Sequence, residues 1–395
     1  MHTVTVVGAS LAGLSAARAL REQGYEGRIL VVGDEWHHPY DRPPLSKEFL
    51  AATVSSADLA LRTPDDDALD VRWMLGRSAV QLDTSGTAVV LDSGQRLVSD
   101  GVVIATGARP RKLPGPRMRG VHTLRTVEDA VALRSALSPG ARLVVIGAGF
   151  IGAEVAATAS ALGVEVTIVE ALSAPLAGPL GTDMGAVCAS LHAEHGVKLI
   201  TSAGNARLAG AGRVTAVRFG DGRELPADVV VVGIGAVPAT DWLAYSGLTV
   251  DGGVLTDSRC ATTIPGVVAV GDCAISRHPG TGELRRVEHW TNALQRPTVA
   301  VATLLGRDYQ PPVSARVPYF WSDQYGVRIQ FAGYYRPGDH VEVVDGDTTA
   351  RRFVAVYRRA GTPSAVLAMN DSKPFNRWRR ELATQAGAAT LTPRP

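Results

Sequence analysis

Cysteine is scarce in this chain and nowhere paired. The 395 residues hold three, Cys188, Cys260 and Cys273, too scattered to form a Cys-x-x-Cys motif. That pattern argues against a disulfide framework and removes chemistry that needs a dithiol relay. A long apolar run is also missing: the stretch around Val229 to Val237 falls far short of the roughly 20 residues that cross a bilayer. Net charge is small. Forty Lys and Arg against 38 Asp and Glu give +2, so nothing at whole-chain level selects nucleic acid or a membrane surface. The first residues, His2-Thr3-Val4-Thr5-Val6-Val7, read as a strand without the basic leader and cleavage site of a secretory signal, so a cytoplasmic protein is expected. Neither His37-His38 nor the pair His192 and His195 has acidic or thiol company, and no metal site is expected.

What the sequence does have is 46% hydrophobic residues, enough to pack roughly two or three domains at this length. Its opening predicts a βαβ unit: a strand to Val7, a small-residue turn Gly8-Ala9-Ser10-Leu11-Ala12-Gly13, a helix to about Gln23 and a strand Arg28 to Val32. Gly8 suits the tight turn and Gly13 the close approach of helix to sheet, while the helix N-terminus offers free N–H groups to a pyrophosphate. Asp34 and Glu35 follow the second strand, where an acid accepts hydrogen bonds from ribose hydroxyls. A second copy is complete. Leu143-Val144-Val145-Ile146 leads into Gly147-Ala148-Gly149-Phe150-Ile151-Gly152, a helix to Leu162 and a strand Glu165 to Val169 that ends in Glu170. A carboxylate there favours the diol of NAD and repels the 2′-phosphate of NADP.

Two dinucleotide turns in one chain suggest a bound redox carrier and a diffusible donor. Between and after them lie the proline-braced loop Tyr40-Asp41-Arg42-Pro43-Pro44-Leu45-Ser46-Lys47, expected to open a helix, and the segments Ile104-Ala105-Thr106-Gly107, Gly233-Ile234-Gly235, Val270-Gly271-Asp272 and Phe320-Trp321-Ser322-Asp323-Gln324. On these residues the chain resembles the NADH-dependent ferredoxin reductases of oxygenase systems, the putidaredoxin reductase-like branch of the glutathione-reductase-like flavoproteins.

That resemblance implies an α/β fold with two Rossmann-like dinucleotide-binding domains of glutathione reductase type plus a C-terminal α+β domain. It implies a discontinuous FAD-binding domain at 1–109 and 233–311, an NADH-binding domain at 110–232 and the C-terminal domain at 312–395. FAD, tightly bound, would meet Gly8, Ser10, Ala12, Gly13, Asp34, Glu35, Arg42, Lys47, Val80, Thr106, Gly107, Arg125, Gly271, Asp272, Glu288, His289 and Trp290. NADH, the donor, would meet Gly147, Gly149, Phe150, Ile151, Gly152, Glu154, Glu170 and Gly235. The catalytic set it implies is Lys47, Glu154 and Trp321. Lys47 would sit near the reactive flavin edge, paired with Glu154 across the domain seam; Trp321 would pack where nicotinamide arrives, or else belong to an aromatic core with Tyr319, Phe320 and Tyr325.

Hydride transfer between nicotinamide and flavin needs position and electrostatics rather than a nucleophile. With no dithiol to receive them, electrons would leave singly to a 2Fe–2S ferredoxin serving a cytochrome P450 or Rieske oxygenase. The same scaffold also serves rubredoxin reductases and NADH oxidases, and a structural or signalling flavoprotein resembling apoptosis-inducing factor is a further alternative. From Ser314 to Pro395 the sequence has 12 Lys and Arg against 7 Asp and Glu, 12 − 7 = +5, and Lys373, Arg377, Arg379 and Arg380 form the densest patch, the expected docking edge for an acidic ferredoxin. Two residues depart from the family pattern. Ser10 replaces the middle glycine of the first turn, and Gly178 stands where relatives carry an arginine, an expected loss of one cationic contact to NADH.

Overall fold

Both fingerprints become strand, turn and helix where the sequence places them. In the computed structural model, which describes residues 1–83, 87–277, 282–310 and 317–391, the first unit runs strand Thr3–Val7, helix Leu11–Glu22 and strand Arg28–Gly33. These strands join a five-stranded parallel sheet in the order Val267–Ala269, Gly101–Ile104, Thr3–Val7, Arg28–Gly33, Val71–Leu75. The strands are apolar on both faces because both faces are covered. Val4 and Val6 pack with Ala16 and Leu20 of the first helix and Val299 and Val301 of the helix Trp290–Leu304. Val7 and Val32 point the other way, onto Leu82, Val89 and Leu97 of an antiparallel meander.

The edge strand Val267–Ala269 arrives long after its neighbour Gly101–Ile104 because the chain leaves to build a second unit. That unit is again a five-stranded parallel sheet, ordered Lys198–Ile200, Glu165–Val169, Arg142–Ile146, Val229–Val232, Val121–His122, with helix Phe150–Ala161 crossing over. The outgoing strand Ala108–Pro110 and the returning strand Ala236–Pro238 pair antiparallel, so the two crossings brace each other. Two local expectations change. The stretch from Ala203 to Gly212, which reads as turns, contains strand Arg207–Ala209, because Leu208 packs into the core of this unit. The proline loop forms one 3-10 turn, Pro43–Ser46, rather than a helix, since Lys47 leaves helical geometry at φ −125, ψ −106.

The C-terminal region is an antiparallel sheet ordered Tyr319–Gln324, Val327–Gly333, Thr362–Met369, Arg352–Arg359, His340–Asp347. Alternation splits its residues between two layers. Val354, Val356 and Ala368 meet Phe375 and Leu382 of the helix Ser372–Leu391. Phe353, Tyr357 and Leu367 instead meet Met184, Cys188 and Leu191 of helix Thr182–Glu194 in the second unit. The expected domain start at 312 lies outside the described residues. Among the described residues no helix is long and apolar enough to cross a membrane.

Candidate functional site

Two positions of the first turn admit nothing larger than glycine. Gly8 sits at φ +121, and a Cβ there would lie 2.1 Å from the Ala105 carbonyl; at Gly13 it would lie 1.9 Å from the Gly8 carbonyl. A Cβ on Gly271, at φ +72, would lie 3.3 Å from the Ala12 Cβ. Ser10 is the N-cap of the first helix but makes no cap hydrogen bond with its side chain. Its Oγ instead accepts from Arg42 Nε at 3.3 Å, leaving the helix N–H groups open toward an anion. A cleft beside the turn is lined by Gly8, Gly33, Asp34, Ser78, Ala79 and Thr106. Val80, one residue past Ala79, is 49% exposed and does not line this cleft.

The two acids after the second strand differ in role. Asp34 is exposed at the cleft, whereas Glu35 accepts from Arg42 Nη2 at 2.6 Å and from the Tyr40 hydroxyl. Arg42 is a hub: it also donates to the Arg125 carbonyl at 2.6 Å. Arg125 in turn donates to Asp272 at 2.8 Å, beside Gly107 at φ +67, while Thr106 Oγ1 donates to the Ala239 carbonyl. Further round, Glu288 pairs with Arg286 at 2.5 Å, and Trp290 Nε1 donates to Asp41 at 2.7 Å. His289 caps the helix that Trp290 opens. Burial pushes its imidazole down to about 4, so it is neutral at pH 7, and its buried Nδ1 has no hydrogen-bond partner.

The second turn repeats the logic. A Cβ on Gly147, at φ +103, would lie 2.3 Å from the Gly233 carbonyl, and one on Gly152 would lie 2.3 Å from the Gly147 carbonyl. Gly149, the N-cap of helix Phe150–Ala161, and Gly235, at φ +98, have no heavy atom within 4 Å of a Cβ, so both face open space. Ile151 is 50% exposed in that opening, and Phe150 turns inward against Phe320, ring centroids 4.7 Å apart. Glu170 accepts from Ala148 N and Leu172 N, both at 2.9 Å, which fixes its carboxylate beside the turn. Gly178 lies in the short helix Ala177–Leu180 with open space around it.

Where the two units meet, Lys47 Nζ lies 2.9 Å from Glu154 Oε2, with side-chain exposures of 12% and 8%. The same oxygen accepts from Ser46 Oγ at 2.5 Å. Oε1 accepts from Ser322 Oγ at 2.8 Å and from Asp323 N at 3.3 Å. One buried carboxylate thus joins the proline loop, the second-unit helix and the first C-terminal strand. Trp321, between Phe320 and Ser322, packs against Tyr319 at 5.9 Å and edge-on to Trp290 at 6.0 Å, half-buried rather than sealed in a core.

The basic patch is divided by its helix. Lys373, Arg377 and Arg380 are exposed, whereas Arg379 lies 4.2 Å over the Tyr319 ring and is half-buried. Burial lowers the Arg379 pKa. Ser46, Ser322, Tyr40 and Asp41 were not singled out from sequence as site residues, although each lies within or beside a quoted motif. The roles of Ser46, Ser322 and Asp41 depend on contacts between segments more than 100 positions apart, which spacing cannot reveal, while Tyr40 acts through its near neighbours Glu35 and Arg42 and through Val127 N, 87 positions away.

Both glycine turns are cradles that a Cβ would fill, and His289 supplies an unpartnered polar atom between them and the C-terminal strand, so the residues fit two dinucleotides. Comparison with known proteins agrees. The pyridine nucleotide-disulphide oxidoreductase family matches residues 2–296, and the reductase C-terminal family matches residues 319–391. The chain is 39% identical to the ferredoxin–NAD(+) reductase component of the biphenyl dioxygenase system of Paraburkholderia xenovorans, over 98% of this chain and 95% of that protein. It is 37% identical to rhodocoxin reductase of Rhodococcus erythropolis, over 97% and 90%. Among solved structures, the covalent putidaredoxin reductase–putidaredoxin complex matches with a TM-score of 0.91 at 34% identity, covering 97% of this chain and 93% of the other. The chain therefore belongs to the pyridine nucleotide-disulphide oxidoreductase family, among the ferredoxin–NAD(+) reductases of oxygenase systems.

Proposed function

We propose that this protein is an FAD-dependent NADH:ferredoxin reductase that passes single electrons to a 2Fe–2S ferredoxin serving a cytochrome P450 or Rieske oxygenase, in the cytoplasm. The observation that carries the reading is the pair of glycine-turn cradles on two parallel sheets with the Lys47–Glu154 pair at their seam. In this reading the FAD-binding domain comprises 1–109 and 233–311, NADH binds to 110–232, and 312–395 forms the C-terminal domain.

Bound FAD supplies the hydride acceptor and the one-electron release. The residues supply place and field. The open N–H groups of helix Leu11–Glu22 hold the FAD pyrophosphate and those of helix Phe150–Ala161 hold that of NADH. Glu170, held by two backbone N–H groups, selects the ribose diol and repels a 2′-phosphate. Lys47, fixed by Glu154, would hold a positive charge beside the bound flavin and so favour its anionic reduced form. Trp321, half-buried against Tyr319 and Trp290, would shield the approach of the nicotinamide from water. No thiol competes: all three cysteines are free and buried, and burial pushes the Cys188 and Cys260 thiols up to about 12 and about 11 and raises that of Cys273. Thiols held protonated in this way are poor nucleophiles.

Anaerobic mixing with NADH and, separately, NADPH tests the reading, followed by cytochrome c reduction with and without a 2Fe–2S ferredoxin. NADH should bleach the yellow protein much faster than NADPH, and cytochrome c reduction should depend on the ferredoxin. A yellow protein that NADH leaves unbleached overturns the proposal.

A further inference from the structure

Ser322 is fully buried on the C-terminal strand, far from either glycine turn in sequence, yet its hydroxyl ends on the carboxylate that holds Lys47. The two oxygens of Glu154 are divided between structural units. Oε1 belongs to the C-terminal strand, through Ser322 Oγ at 2.8 Å and Asp323 N at 3.3 Å; Oε2 belongs to the proline loop, through Ser46 Oγ at 2.5 Å and Lys47 Nζ at 2.9 Å. A carboxylate held at both oxygens cannot rotate about its own axis, so Oε2 is presented to Lys47 in one orientation.

The direction of the serine bond is also determined. Gln324 Nε2 donates to Ser322 Oγ at 3.0 Å, which takes up the acceptor side of the hydroxyl and leaves its single hydrogen for Glu154. Turning the Gln324 amide round would place an acceptor against Ser322 and draw that hydrogen away. The cost of the present arrangement is visible, because the buried Gln324 Oε1 is left without a partner. One helical turn beyond Glu154, Thr158 Oγ1 donates to the Ser46 carbonyl at 2.8 Å, so the loop that carries Lys47 is tied to the same helix twice.

We propose that Ser322, oriented by Gln324, is a positioning residue for Lys47, acting through Glu154, so that the C-terminal domain sets the charge presented to the flavin. The proposal rests on the reductase reading of the site. Removing the Ser322 hydroxyl leaves Oε1 with only the longer backbone bond from Asp323. The carboxylate then swings, and Lys47 loses its fixed position without losing its charge.

The test compares Ser322→Ala, Lys47→Met, Glu154→Gln and the double variant Ser322→Ala/Glu154→Gln, FAD-loaded for the flavin measurements and FAD-free for unfolding. Three quantities are measured: the flavin midpoint potential, the rate of flavin reduction at saturating NADH, and thermal unfolding of the FAD-free chains. Lys47→Met should lower the potential. Ser322→Ala should lower it in the same direction by a smaller amount and slow reduction about three- to tenfold, with NADH affinity unchanged. In the Glu154→Gln background, Ser322→Ala should add little, because the link is already altered. If Lys47→Met leaves the potential unmoved, the reductase reading of Lys47 fails. If Lys47→Met shifts it while Ser322→Ala changes only the unfolding temperature, or if the serine effect is undiminished beside Glu154→Gln, Ser322 is a packing residue and the proposal is overturned.

Discussion

Arg125 donates to Asp272 at 2.8 Å across 147 positions of sequence, and its own carbonyl accepts from Arg42 at 2.6 Å. The backbone of Arg125 is fixed as well, since its N–H donates to Asp129, the residue that completes the capping box of helix Val127–Ala136. Three chain segments are therefore linked through one arginine, and the side chain of Asp272 is only 13% exposed. Substituting Asp272 by Ala unpins Arg125 and removes an acceptor beside Gly271. FAD retention, followed by flavin fluorescence on dilution, should weaken at least about tenfold, equivalent to about 1.4 kcal/mol. Unchanged retention in Asp272→Ala would show that the pair is not part of the cradle.

Acid should destabilise this protein earlier than its carboxylates alone predict. His192 is 2% exposed, and burial, helped by the charge of His195, pushes it down to about 4; burial does the same to His289. Each group has a native pKa below the ordinary 6.5, so the unfolded chain binds protons first as pH falls. The contribution of each is complete above pH 6.5 and drains away toward pH 4. Shifts of this size correspond to on the order of 3 kcal/mol per group. His192 Nδ1 and the Tyr325 hydroxyl are hydrogen-bonded at 2.8 Å, which joins helix Thr182–Glu194 to the C-terminal sheet. Unfolding temperatures measured from pH 7.5 down to pH 5 should fall less steeply for His192→Gln than for the unaltered chain, and parallel curves would refute the assignment.

The division of the basic patch alters which substitutions test ferredoxin docking. Lys373, Arg377 and Arg380 share the exposed side of their helix, at spacings of four and three residues. Exchanging Lys373 and Arg377 for Glu should raise the apparent KM for ferredoxin several-fold and flatten its salt dependence, while NADH-to-dye turnover stays intact. Arg379→Ala should behave differently, lowering thermal stability by roughly 1 kcal/mol through the lost stacking on Tyr319. Equal loss of ferredoxin and dye activity in the double Glu variant would remove this surface from the docking role.

What sequence could and could not reveal follows from the range of each interaction. The two dinucleotide units are local: strand, turn and helix lie within about 30 residues, and a missing Cβ leaves a mark in the composition. The Lys47–Glu154 pair was accessible only through resemblance, because its partners lie 107 positions apart. Ser46 and Ser322 had no such signal. Arg379 and Arg380 are adjacent in sequence, and only the helix's docking on Tyr319 separates an arginine that packs from one that faces solvent. Asp34 and Glu35 were equivalent as candidate acids until Arg42 and Tyr40 were seen to engage the second.

Gly178 offers a gain-of-function prediction. The short helix Ala177–Leu180 follows Leu176, which takes a left-handed φ of 54, and a Cβ on Gly178 would meet nothing within 4 Å. Its φ is negative, so a side chain is admitted without strain. Arginine there would restore the cation that the family resemblance leads one to expect, and would be up to about 1 kcal/mol better than glycine in a helix. Gly178→Arg should lower the KM for NADH several-fold with kcat nearly unchanged, the signature of binding gained equally in ground and transition states. Gly178→Gln has similar helix propensity and no charge, so it isolates the electrostatic part. If Gln improves NADH affinity as much as Arg, the gain comes from ordering the helix rather than from charge; if neither improves it, Gly178 does not face the bound donor.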